Sequence, residues 1–160
     1  MKKILYFIPA FLVMAAIFYF SSQSGPVSTQ LSDSVISAVT EKNDPLSKDM
    51  WQKLNVIIRK SAHFIEYMSL GAAFAFGLRF SVAGASTIKY ILLSTLFSAV
   101  YAVSDEIHQY FVPGRACMLT DVGIDTIGSL SGAVLMILFL TIVIKIYEKR
   151  KSSKADYQGR

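Results

Sequence analysis

The chain has 160 residues, 53% of them hydrophobic and 17% charged, and a mean hydropathy of +0.47. It is too apolar for an ordinary soluble domain and reads as a small membrane protein. Sixteen basic against eleven acidic residues give a net charge of +5. Much of that excess lies at the two ends, which suits anionic lipid headgroups; no nucleic-acid-reading motif, P-loop or dinucleotide fingerprint accompanies it. The single cysteine, Cys117, excludes an intrachain disulfide and a cysteine-built zinc site.

Met1-Lys2-Lys3 precedes an apolar run from Ile4 to Phe20. A signal peptide would begin similarly. The run is about as long as a bilayer is thick, however, so it reads as a first span over 4–20, with Pro9 allowing a bend. Ser21 to Pro26 stops it. In the next stretch Val27, Leu31, Val35 and Val39 recur every fourth residue between polar side chains. This predicts an amphipathic helix lying on the membrane surface or on the protein itself. Asn43-Asp44-Pro45 predicts a turn, and Ser47 a cap for a second helix through Trp51, Leu54, Ile57 and Ile58. Trp51 suits an interfacial anchor. The second helix is free to continue into a second span over 64–80, whose Gly71, Ala72, Ala73, Ala75 and Gly77 allow close helix approach in lipid.

Gly84 and Ser86 mark a short loop before a third span over 90–110. The fourth runs over 122–144, where Asp121, Asp125, Gly128 and Gly132 share one helical face. Its lower half is a Gly-x-x-x-Gly packing seam. Residues 148–160 read as a basic tail, disordered or touching lipid. The expected fold is all-α: an integral membrane four-helix bundle, residues 1–147, with one or two amphipathic surface helices between the first two spans.

Four spans place both termini on one side. Ten basic residues fall there, among them Lys2, Lys3, Arg79 and Lys89, against six on the other side: Lys42, Lys48, Lys53, Arg59, Lys60 and Arg115. The positive-inside rule therefore predicts a multi-pass membrane protein with both termini in the cytoplasm. Gln23, then Lys60, His63 and Glu66, then Asp105, Glu106, His108, Gln109 and Arg115, and finally Asp121 and Asp125 all arrive at the opposite, outer end. Ionisable groups at membrane depth cost about 2.5–3.5 kcal/mol each on insertion scales, so by default they mark function. The expectation is one polar pocket at the outer leaflet.

Its chemistry has several readings. His63, Glu66, Asp105, Glu106 and His108 suit proton transfer, because burial and mutual charge move such groups towards neutrality. His63-x-x-Glu66 and Asp105-Glu106-x-His108 also suit a divalent cation, although no metal is assigned. Lys60 and Arg115, with Gln23, Gln109, Asp121 and Asp125 around them, are placed to hold an anionic headgroup. An ion-pair network that only fixes helix register is the bland alternative. The excess of acids over bases favours a bound cation or shared protons over it.

Phe20-Ser21-Ser22-Gln23, Lys60-Ser61-Ala62-His63-Phe64-Ile65-Glu66-Tyr67, Asp105-Glu106-Ile107-His108-Gln109-Tyr110-Phe111-Val112-Pro113-Gly114-Arg115, and Asp121-Val122 with Asp125, Gly128 and Gly132 together resemble the VanZ-like family. That family is named for a teicoplanin-resistance accessory protein. The resemblance implies a four-helix integral membrane protein of the cell envelope and, for some members, reduced glycopeptide susceptibility. The expected activity is to bind or act on an envelope lipid or peptidoglycan-precursor headgroup, catalysis being undecided. The alternatives are a non-catalytic shielding module and a small proton-coupled transporter. Expected partners are membrane lipids and a lipid-linked precursor or glycopeptide antibiotic, with no nucleic acid.

Overall fold

A computed structural model describes residues 2–40 and 47–158. The predicted turn at Asn43-Asp44-Pro45 lies outside them. Every regular element among the described residues is helical. A 3-10 segment, Lys2–Phe7, leads into α1 (Ile8–Ser21); α2 (Gly25–Val39), α3 (Lys48–Ser81), α4 (Thr87–Tyr110) and α5 (Leu119–Gln158) follow. Pro9 falls in the first turn of α1, inside the apolar stretch, where the 3-10 segment gives way to the α-helix. There its missing N–H leaves no bond of the α-helix unmade.

Caps set the other boundaries. The Ser47 hydroxyl accepts from Met50 N–H at 3.3 Å, and Ser86 from Lys89 N–H at 3.4 Å, each satisfying a donor that the first turn leaves free. Gly84, at φ +76°, makes the turn between α3 and α4. Helix α3 runs unbroken from the predicted second helix through the second span. Helix α5 does not stop near Ile144 but continues to Gln158, so the tail is not disordered there. No Gly or Pro interrupts 133–158, and the Lys, Glu, Arg and Ala that fill the tail are good helix formers.

Three helical stretches are long and apolar enough to cross a membrane: Lys3–Ser21, Thr87–Tyr110 and Leu119–Ser153, with mean hydropathies of 2.2, 1.4 and 2.5. Their outward faces carry bare apolar side chains such as Leu12, Leu92, Leu96, Leu135 and Phe139. Only a lipid environment covers such faces cheaply. The fourth member, the 64–80 half of α3, is less apolar because Glu66 and Arg79 bracket it. It packs against α1, α4 and α5, burying Tyr67, Leu70, Ala73, Ala75 and Leu78. One apolar cluster joins Ala10 and Ile17 of α1 to Tyr67 and Leu70 of α3 and Ala102 of α4. A second joins Ala75 and Leu78 to Tyr90, Ala133 and Ile137.

The α3–α5 contact is closest. A Cβ on Gly71 would strike the Ser129 carbonyl, and one on Gly132 would strike that of Met68. The Gly-x-x-x-Gly seam therefore lies where the sequence predicts, and α5 meets α3 backbone to backbone.

Helix α2 rests on α3 by its Ser32 and Ile36 edge, both buried. Asp33 accepts from the Trp51 indole N–H at 2.6 Å and from Asn55 Nδ2 at 2.9 Å, so Trp51 pins α2 to α3. Val27, Leu31 and Val35 stay 40–53% exposed. The helix thus sits on the protein and still turns an apolar stripe outward.

Candidate functional site

Helix α4 ends at Tyr110, and Gly114 at φ +75° turns the chain. Gly25, at the start of α2, donates its N–H to the Pro113 carbonyl at 3.0 Å and lies so close to Gly114 that a Cβ would overlap that backbone. The α4–α5 turn therefore anchors the base of α2 beside the end of α1. Between them opens a cavity of about 290 Å³. Phe20, Leu31, Val35, Ile58 and Ala62 supply its apolar lining, and Ser21, Gln23, Ser28, Ser32, Arg59, His63, Glu66 and Arg115 its polar lining.

The groups around it form three linked sets. Asp105, 3% exposed, accepts from Ser21 Oγ at 2.9 Å and Gln109 Nε2 at 3.0 Å, binding α4 to the end of α1. Arg115 donates from Nε to the Gln23 carbonyl and from Nη2 to the Phe20 carbonyl, both at 3.1 Å, and from Nη1 to Gln109 Oε1 at 3.4 Å. Its cation thus meets carbonyls at the negative end of α1. On the α5 side, Lys60 forms a short ion pair with Asp121, Glu106 Oε2 accepts from Met118 N–H at 2.7 Å just before α5 begins, and His63 Nδ1 faces Asp125 Oδ1 at 3.5 Å.

The predicted site residues therefore divide. Gln23, His63, Glu66 and Arg115 line the cavity. Asp105 and Gln109 join its wall through Ser21. Glu106, Asp121, Asp125 and Lys60 lie towards α5, and Lys60 is engaged with Asp121 rather than lining the cavity. His108 is on the α1 flank, stacked on Phe18 with ring centroids 4.7 Å apart and its Nε2 3.2 Å from Ser22 Oγ. Sequence reasoning missed Arg59 as a site residue, although the signal was present. At 3.6 residues per turn, Arg59, His63 and Glu66 share one face more tightly than Lys60, His63 and Glu66, whose steps of three drift round the helix. It also missed α2 as the cavity's second wall.

A membrane-embedded helical bundle that gathers acids, imidazoles and cations at one end is the class these features define. A family model described as VanZ/LLP1 matches residues 6–140, and the chain belongs to that family. No curated protein and no solved structure matches it.

Proposed function

We propose that the cavity between α1, α2 and α3 holds the anionic headgroup of an envelope lipid or lipid-linked peptidoglycan precursor at the outer leaflet. The observation that carries this reading is the pairing of two guanidiniums with apolar walls in one cavity. Arg59 and Arg115 both line it. Arg59 is half-buried, and its Nε has no hydrogen-bond partner among the described residues. A buried donor left without an acceptor costs about 1–3 kcal/mol, which a phosphate oxygen would recover. Leu31 and Val35 on one side and Ile58 and Ala62 on the other offer surface for the start of an acyl or polyprenyl chain. Residues 1–147 act as the membrane domain and 148–160 as a basic cytoplasmic tail. A precursor held here is shielded from a bulky glycopeptide such as teicoplanin, which connects binding to lowered susceptibility.

The test is lipid retention by the detergent-purified protein, read by native mass spectrometry against phosphatidylglycerol, a polyprenyl-pyrophosphate-linked precursor and neutral phosphatidylcholine. Phosphate-bearing lipids are expected to be retained over the neutral one. Arg59→Gln is expected to weaken that retention roughly tenfold, or ~1.4 kcal/mol. Equal retention of neutral and anionic lipid, unchanged in Arg59→Gln, contradicts the reading.

A further inference from the structure

Behind the cavity, three helices each contribute one metal-competent side chain: His63 from α3, Glu106 from α4 and Asp125 from α5. One ligand atom of each lies within 4.8 Å of the other two. All three are buried, Asp125 at 0%, Glu106 at 2% and His63 at 9% exposure. Their polar atoms are left over. Both Asp125 oxygens, Glu106 Oε1 and His63 Nδ1 have no hydrogen-bond partner among the described residues.

The 3.5 Å between His63 Nδ1 and Asp125 Oδ1 is long for a hydrogen bond. It is close to the ~3.4 Å that separates two ligands of a tetrahedral ion with bonds of about 2.0–2.2 Å. Apart from His63 itself, no basic side chain among the described residues is paired with the two carboxylates, and Lys60 is paired with Asp121. Two buried carboxylates need a counter-charge or protons.

We propose that His63, Glu106 and Asp125 bind one divalent transition-metal ion of the zinc type. One nitrogen and two carboxylate ligands suit Zn²⁺, Mn²⁺ or Co²⁺ better than Ca²⁺, which takes oxygen alone. Three protein ligands leave a coordination position free, as in open zinc sites. His63 also lines the cavity, so that position is within reach of an anionic oxygen held there. This goes beyond headgroup binding, and its test contains no added lipid.

The full-length protein in detergent is stripped with a chelator, reloaded with Zn²⁺ or Co²⁺, desalted and assayed for metal by mass spectrometry, with Co²⁺ ligation read from its d–d absorption. One ion per chain is expected, and reloading is expected to raise the thermal midpoint of the stripped protein. The isosteric variants Asp125→Asn and Glu106→Gln are expected to lower Zn²⁺ affinity at least tenfold, whereas Asp49→Asn, on the exposed start of α3, leaves it unchanged. If a variant is not monodisperse, stripping and reloading of the unmutated protein decides alone. Absence of stoichiometric metal after loading, or an affinity in both isosteric variants equal to that of the unmutated protein, overturns the site and leaves protons as the neutralising charge.

Discussion

Asp105 shows how a single buried carboxylate is made tolerable at membrane depth. One oxygen takes two donors, from Ser21 and Gln109, and so ties α4 to α1. Asp105→Ala strands both donors and is expected to destabilise the fold by about 1–3 kcal/mol. Asp105→Asn, which keeps an acceptor, should lose less; thermal unfolding in detergent reads both. That Asp105, Gln109 and Arg115 work together was legible, because the first two are four apart on one helix and Pro113-Gly114 turns the third back. The pairing of Lys60 was not. Its spacing with His63 is compatible with the cavity face, and only the position of Asp121 on a helix 61 residues away decides which side it takes.

At the scale of elements, two contacts hold the site in shape. The first is the α3–α5 seam. Alanine normally improves a helix over glycine by up to about 1 kcal/mol, so Gly123→Ala, where an added Cβ meets nothing within 4 Å, should stabilise. Gly132→Ala should do the reverse, because its Cβ drives into the Met68 carbonyl and the helices must part. Opposite signs in calorimetry support this packing; the same sign in both contradicts it. The second contact is the pin between α2 and α3. Hydrogen bonds from Asn55 and Trp51 hold the Asp33 carboxyl below the ordinary carboxylate range. Because its folded value is depressed, its contribution is complete above the ordinary value and fades as pH falls through the acid range below about pH 4. Trp51 is the sole tryptophan. Its emission is therefore expected to shift as α2 loosens in acid, and to lose that step in Asp33→Asn. The Val27, Leu31 and Val35 periodicity foretold α2, but not which edge it rests on. Ser32 and Ile36 take that role because Gly25 and Asp33 fix the rotation.

For the whole molecule, the sequence carried the plan further than the details. Long apolar runs fix where helices lie, and the acids and histidines clustered at one end of the spans say which ends meet. In the structure Ser21 bonds to Asp105, Arg115 to the end of α1, and Lys60 to Asp121. What stayed hidden depends on rotation about helix axes. It left His108 out on the α1 flank and gathered His63, Glu106 and Asp125 from three different helices, a combination that no local spacing announces. The proposed outward orientation of the cavity rests on the distribution of basic residues. Cys117 offers a direct check, being the one cysteine, exposed, in the α4–α5 connection two residues after the cavity-lining Arg115. Intact cells are treated with a membrane-impermeant maleimide, with and without permeabilisation. Labelling of Cys117 in intact cells is predicted; labelling only after permeabilisation would put the cavity on the cytoplasmic side and contradict a role at the outer leaflet.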